Sequence, residues 1–124
     1  MLVNDFLENS AINYSDKTAL ITDKARYTYK EIDDTANKVA AALIADGFKK
    51  GDRAIIFMDN DFEPVVSIFG IMKAGGIFMV INPTTKTEKL TYILNNSRAT
   101  ALISSADKQG VIAAACNNTV SLKN

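Results

Sequence analysis

The sequence predicts an α/β fold: a mostly parallel sheet with helices on both faces, preceded by a helix and a β-hairpin. Three observations predict it. Short, solidly apolar runs at 53–58, 77–81 and 100–104 alternate with longer segments whose apolar residues recur at helical spacing. Those longer segments open on capping residues, and two of them close on glycine. At 124 residues and 48% hydrophobic composition, with no repeat or low-complexity linker, the chain suits one compact unit over 1–124.

The first dozen residues predict a short helix with Phe6, Leu7 and Ala11 as its apolar side. The β-rich runs 18–22 and 26–29, separated by Asp23-Lys24-Ala25, predict a hairpin. Thr28-Tyr29-Lys30-Glu31 has the T-x-x-E spacing of a capping box, in which hydroxyl and carboxylate satisfy orphan backbone donors. Behind it Ile32, Ala36, Val39, Ala40, Leu43 and Ile44 form one apolar stripe, and Gly47 ends the helix.

The strand at 53–58 leads to Asp59, Asn60 and Asp61. Pro64 fits the following helix only in its first turn, which makes Asp61 the cap. That helix runs to about Ala74, and 77–81 is the next strand. Thr85-Lys86-Thr87-Glu88 reads as a second capping box, opening a helix with Leu90, Ile93 and Leu94 inward. After the strand at 100–104, Ser105 is the expected cap of a last helix carrying Val111, Ile112 and Ala115. Residues 119–122 begin an expected fourth strand. Right-handed crossovers leave few ways to wind these elements.

Composition excludes several classes of function. Fourteen basic and fourteen acidic residues cancel, so no charge excess draws the chain to nucleic acid or to an anionic membrane. Without histidine, imidazole neither shuttles protons nor binds metal here. The single cysteine, Cys116, forms no internal disulfide and is expected to be a small buried apolar side chain. The N-terminus lacks the basic cluster and apolar core of a signal peptide, and the longest apolar run is too short to span a bilayer. A soluble, cytoplasmic chain is expected.

The adjacent glycines Gly75 and Gly76 raise the question of a phosphate loop. Such a loop follows a strand and precedes a helix, so that free N–H groups point at the anion. Here the order is reversed: the glycines follow a helix, where carbonyl oxygens gather and repel phosphate. The strand-to-helix junctions offer no better seat. Asp59, Asp61 and Glu63 oppose an anion, Asn82-Pro83-Thr84-Thr85 has no glycine, and Ser105-Ala106-Asp107 is a plain cap. Asp59 at a strand end resembles a receiver-domain phosphoacceptor, but the acidic pair and the lysine of that design are not in place. Met58, Met72 and Met79 are expected core filler, and Lys73 is expected to complement the dipole at its helix end. No residue of 1–124 is assigned a catalytic, cofactor-binding or metal-binding role.

Two stretches, in this order, resemble the start of adenylate-forming enzymes, the superfamily of acyl-CoA synthetases and peptide-synthetase adenylation domains. Tyr27-Thr28-Tyr29-Lys30-Glu31-Ile32 is similar to the family's Leu-Thr-Tyr-x-Glu-Leu. Met72-Lys73-Ala74-Gly75-Gly76-Ile77-Phe78-Met79-Val80-Ile81-Asn82-Pro83 resembles Leu-Lys-Ala-Gly-x-x-Tyr/Phe-x-Pro-Leu-Asn/Asp-Pro, with Val80 in place of the inner proline. Linking segments agree. "YSDKTAL" has Ser15 where the family has proline, the helix after Tyr29 keeps Asn37, and "KKGDRAIIFMDN" closes on Asn60. The likeness covers residues 6 to about 105.

The resemblance implies a part of a larger N-terminal domain. The intact parent would be an AMP-forming acid–thiol ligase that turns a small carboxylic acid and ATP into an acyl-adenylate and pyrophosphate. It would then form a thioester with coenzyme A, as in fatty acid metabolism. ATP, magnesium and coenzyme A are implied for that parent and none for this chain, because the family's Thr-Ser-Gly-Thr-Thr-Gly loop is not in it. An adenylation domain loading a carrier protein, and a free-standing non-catalytic interaction module, are the alternatives. The expected partner is the remainder of the parent polypeptide. A strand apolar on both faces also leads one to expect self-association.

Overall fold

The computed structural model describes residues 3–59 and 61–116. The elements in order are α1 (Val3–Asn13), β1 (Thr18–Ile21), β2 (Arg26–Thr28), α2 (Tyr29–Ala45), β3 (Arg53–Phe57), α3 (Phe62–Lys73), β4 (Ile77–Val80), α4 (Thr87–Ser97), β5 (Ala101–Ser104) and α5 (Gln109–Cys116). The expected strand at 119–122 lies outside the described residues, and the side chain of Cys116, expected to be buried, lies outside what the structure describes.

Among the described residues, β3, β4 and β5 form a three-stranded parallel sheet in the order β4-β3-β5, and β1 and β2 pair as a separate antiparallel hairpin. The fold class is the α/β architecture that the sequence predicts. The solid apolar run of β3 follows from its central place. Ala54, Ile56 and Met58 pack with Leu43, Phe48 and Ile71 on one face, against α2 and α3. Ile55 and Phe57 pack with Leu90, Leu94, Ala99 and Ala115 on the other, against α4 and α5. A third cluster of Leu7, Ile32, Ala36 and Val66 joins α1 to the α2–α3 pair.

The first capping box forms as the spacing requires. The Glu31 N–H donates to Thr28 Oγ1 at 3.1 Å, and the Thr28 N–H donates to Glu31 Oε1 at 3.3 Å. Thr28→Ala removes one acceptor from two coupled bonds, so chemical denaturation should show a loss of about 1 kcal/mol. Asp61 caps α3, accepting the Phe62 N–H at 2.8 Å, and Pro64 lies in the first turn.

The second box does not form. Lys86 is the cap of α4, with no side-chain cap bond, because Asn82 organises the turn before it. Asn82 Oδ1 accepts from the backbone and hydroxyl of Thr84 at 2.9 and 2.7 Å, while the Asn82 carbonyl accepts the Thr85 N–H. Such an Asx turn competes with helix entry and delays it. Ser105 likewise opens a 3₁₀ turn over Ala106–Lys108, and α5 starts after it.

Three apolar side chains expected inside face water instead. Phe6 and Ile44 are exposed, and Met79 is no core filler, since every residue of β4 is exposed at the edge of the described sheet.

Candidate functional site

The corner from α3 into β4 is the first place to look for an anion seat. Gly75 has φ +82°, a left-handed conformation that other residues adopt at a cost. Its N–H donates to the Met72 carbonyl at 3.0 Å, and the Gly76 N–H donates to the Ile71 carbonyl at 2.9 Å. These are the two bonds of a Schellman motif. Both glycine amides are therefore consumed by the carbonyls of their own helix.

The preceding α2–β3 corner repeats the pattern. The Gly47 N–H donates to Ile44 and the Phe48 N–H to Leu43, both at 3.0 Å, with Gly47 at φ +96°. Phe48 then turns inward beside Leu43. The two corners are stitched together by Gly51 N–H to the Gly75 carbonyl at 2.9 Å and Ile77 N–H to the Asp52 carbonyl at 2.8 Å. This arrangement fixes where β3 and β4 begin.

Lys73 occupies the last turn of α3 with its side chain only 6% exposed. Its Nζ lies 2.8 Å from Asp33 Oδ1 and 2.9 Å from Glu8 Oε1. The ammonium thus joins α1, α2 and α3, a tertiary role that the helix-dipole reading of the sequence missed. Burial opposes its charge most strongly, but the attraction of the Asp33 and Glu8 carboxylates, to which the ammonium is bound, outweighs it and leaves the pKa raised. A lysine held charged between two carboxylates is a structural cation, not a nucleophile or base.

The remaining candidate is the C-terminal edge of the sheet, where ligands of open α/β folds collect. A cleft of about 250 Å³ there is lined by Lys24, Met58, Asp59, Asp61, Glu63, Ser104, Ser105 and Asp107. Its groups answer one another. Lys24 Nζ is 2.9 Å from Asp61, and Lys108 Nζ is 3.6 Å from Asp59 and 3.7 Å from Asp107. Lys24 and then the Phe62 N–H hold the Asp61 carboxyl below its ordinary range. The Ser105 hydroxyl does the same for Asp107, and Ser104 donates to the Phe57 carbonyl. The N-terminus of α3 already holds an anion, its own Asp61.

The cleft carries more acid than base and does not fit a nucleotide phosphate. Among the described residues no group of three or more His, Cys, Asp or Glu side chains is arranged to hold a metal ion. None of their helices is long and apolar enough to cross a membrane. Asp59, the receiver-like aspartate, pairs with Lys108 from the 3₁₀ turn.

Comparison with known proteins places this scaffold. Bacitracin synthase 1 of Bacillus licheniformis is 37% identical over 101 residues, covering 82% of this chain and 2% of that protein. The crotonobetaine/carnitine–CoA ligase of Escherichia coli is 37% identical over 98 residues, covering 75% of this chain and 19% of the ligase. Among solved structures, the anthranilate CoA ligase AuaEII in complex with anthranoyl-AMP superposes with a TM-score of 0.92 at 31% identity. It covers 98% of this chain and 23% of its own. The chain therefore spans a quarter or less of the relatives named here. A family model described as AMP-binding enzyme matches residues 7–123. The capped helix, the double-glycine corner and the buried parallel strand lie within that match, and the chain belongs to the AMP-binding enzyme family.

Proposed function

We propose that this chain is the N-terminal part of the large domain of an AMP-forming acyl-CoA synthetase. The intact enzyme would join a carboxylic acid to AMP, with release of pyrophosphate, and then pass the acyl group to coenzyme A. Within it, the chain acts as scaffold, and no residue of 1–124 touches the reacting atoms. The observation that carries this reading is the 72–83 corner. It keeps the family's spacing from lysine to proline, and its two glycine amides are spent on helix carbonyls.

Support for a coenzyme A acceptor comes from Asn82, where peptide-synthetase domains more often carry aspartate, and from the fit to AuaEII. The likeness to bacitracin synthase 1 favours the second reading, an adenylation domain that loads a carrier protein. Adding coenzyme A or a pantetheinylated carrier to the full-length enzyme, with its acyl-adenylate formed, would separate the two. Only the true acceptor should release AMP as thioester accumulates.

For the 124-residue chain alone, ATP–pyrophosphate exchange across a panel of carboxylic acids is expected to equal the blank. Exchange above blank would show a phosphate grip in this chain and overturn the scaffold reading. The remainder of the parent polypeptide is the proposed partner in the intact enzyme. In its absence, β4 leaves the chain prone to associate.

A further inference from the structure

We infer that Asp61 is a charge-dependent clasp: when its carboxylate is neutralised, the turn of the β1–β2 hairpin lifts from α3, and the first turn of α3 frays with it. The inference rests on the geometry around Asp61 and holds whether or not the parent is a coenzyme A ligase.

The hairpin depends on what it docks against. β1 and β2 bond to each other and, among the described residues, to no further strand. A two-stranded ribbon by itself is marginal in water. Its open end is anchored where the chain enters α2, with the Tyr29 N–H donating to the Lys17 carbonyl at 3.1 Å and the Lys30 N–H to the Ser15 carbonyl at 3.2 Å. Its body leans on α3. Leu20 and Tyr27 join the cluster that contains Val66, and the Tyr27 ring stacks on Phe62 with centroids 4.0 Å apart. Phe62 is the first residue of α3, in the turn whose N–H groups have no partner inside the helix.

Asp61 holds both sides of this seam. Its Oδ1 accepts the Phe62 N–H at 2.8 Å, and its Oδ2 lies 2.9 Å from Lys24 Nζ. The helix cap and the tie to the hairpin thus draw on the two oxygens of one carboxylate. The turn itself presents the lysine. Thr22 Oγ1 accepts the Lys24 and Ala25 N–H groups, both at 3.2 Å, while the Thr22 N–H donates to the Ala25 carbonyl at 2.9 Å.

Protonation weakens both ties at once. A neutral carboxyl offers Lys24 no opposite charge and is a poorer acceptor for the Phe62 N–H. Lys24 and then the Phe62 N–H hold this carboxyl below the ordinary 3.8, so the clasp is fully closed above that value and opens as pH falls through the lower, folded one. The other charges nearby are Asp23 on the hairpin turn, Asp59 before α3, Glu63 within it, and Asp107 and Lys108 from the turn after β5. Lys108 answers Asp59 and Asp107, which leaves Lys24 to Asp61.

Hydrogen exchange, corrected for intrinsic rates, reads both halves of the clasp. Between about pH 6 and about pH 2, protection at the Thr22 and Phe62 amides should fall together, with a common midpoint below 3.8. The Ile81 amide, bonded to the Ile56 carbonyl in the main sheet, should keep its protection. Asp61→Asn retains a capping oxygen but cannot titrate, so both amides should lose the acid step. Lys24→Met removes the tie and spares the cap. Because Lys24 is 78% exposed, exchange at Thr22 should quicken only about threefold at neutral pH. The acid step should shrink at Thr22 in this variant and stay full at Phe62. Separate midpoints at Thr22 and Phe62, a step that survives Asp61→Asn, an undiminished step at Thr22 in Lys24→Met, or parallel loss at Ile81 would each overturn the inference. The wild-type profile alone separates shared from independent release if either variant fails to fold.

Discussion

Replacing Lys73 with methionine is expected to destabilise the chain by about 3 kcal/mol, the lower end of the range for removing one partner from a buried ion pair. Methionine keeps most of the volume, so little of the loss comes from a cavity. The loss comes from the carboxylates left behind. Asp33 is 18% exposed and Glu8 41%, so Asp33 bears most of the penalty while Glu8 can turn to water. Removing both charges together, as in Lys73→Met with Asp33→Leu, should recover most of the loss, because an apolar pair often matches a buried ionic one. Urea unfolding measures both variants. A single variant within about 0.5 kcal/mol of wild type would show that the three-helix ion pair does not hold α1 and α2 to α3.

The same lysine sets an alkaline limit. Its folded pKa is raised, so its contribution is fully present below the unfolded value near 10.5 and is lost as pH rises through the folded value above it. Wild type should therefore lose stability above about pH 10.5 more steeply than the Lys73→Met, Asp33→Leu pair.

Local signals were legible in the sequence where one segment supplies both halves of an interaction. The box of Thr28 and Glu31, the Asp61 cap with Pro64 in the first turn, and the glycine after each of α2 and α3 all lie within a few residues of their partners. The second box failed for the same kind of reason. Asn82 offers a competing local bond three residues upstream of Thr85, and spacing alone does not rank the two. What depends on strand order was harder to read. Apolar runs at β3 and β4 look alike as sequence, yet among the described residues β3 is central and buried whereas β4 is an edge exposed on both faces. Lys73 shows the limit again, since nothing near it in sequence points to Glu8 or Asp33, 65 and 40 residues away.

The place of the double glycine at a helix C-terminus was legible because it follows from chain direction. A helix presents carbonyls at its C-terminus whatever packs around it. The acidic cleft at the other end of the sheet was legible as charge but not as pairing. Lys24 comes from the hairpin and Lys108 from the turn after β5, and only the fold brings them to Asp61 and Asp59.

The two glycines of the corner should fail for different reasons when substituted. Gly75→Ala meets a left-handed backbone, with no atom of Lys50 closer than 3.3 Å to the added methyl, so the cost is conformational, about 1–2 kcal/mol. Gly76 has no such backbone demand. A Cβ there would lie 2.4 Å from Phe48 Cε2 and 2.5 Å from Cζ, with the Asp52 carbonyl oxygen at 3.1 Å. The ring is buried among Leu43, Ile56 and Ile71 and has little room to retreat. Gly76→Ala is therefore expected to cost about 2–3 kcal/mol as overpacking. The difference in cause is open to test by a second substitution. Phe48→Leu removes the clashing end of the ring and should cost about 1 kcal/mol alone, yet should recover at least about 1 kcal/mol in the Gly76→Ala background. It should recover nothing in the Gly75→Ala background, where no ring contact is at fault. Equal behaviour of the two backgrounds would mean that both glycines serve the backbone alone, and that the close approach of Phe48 to the corner is not what selects Gly76.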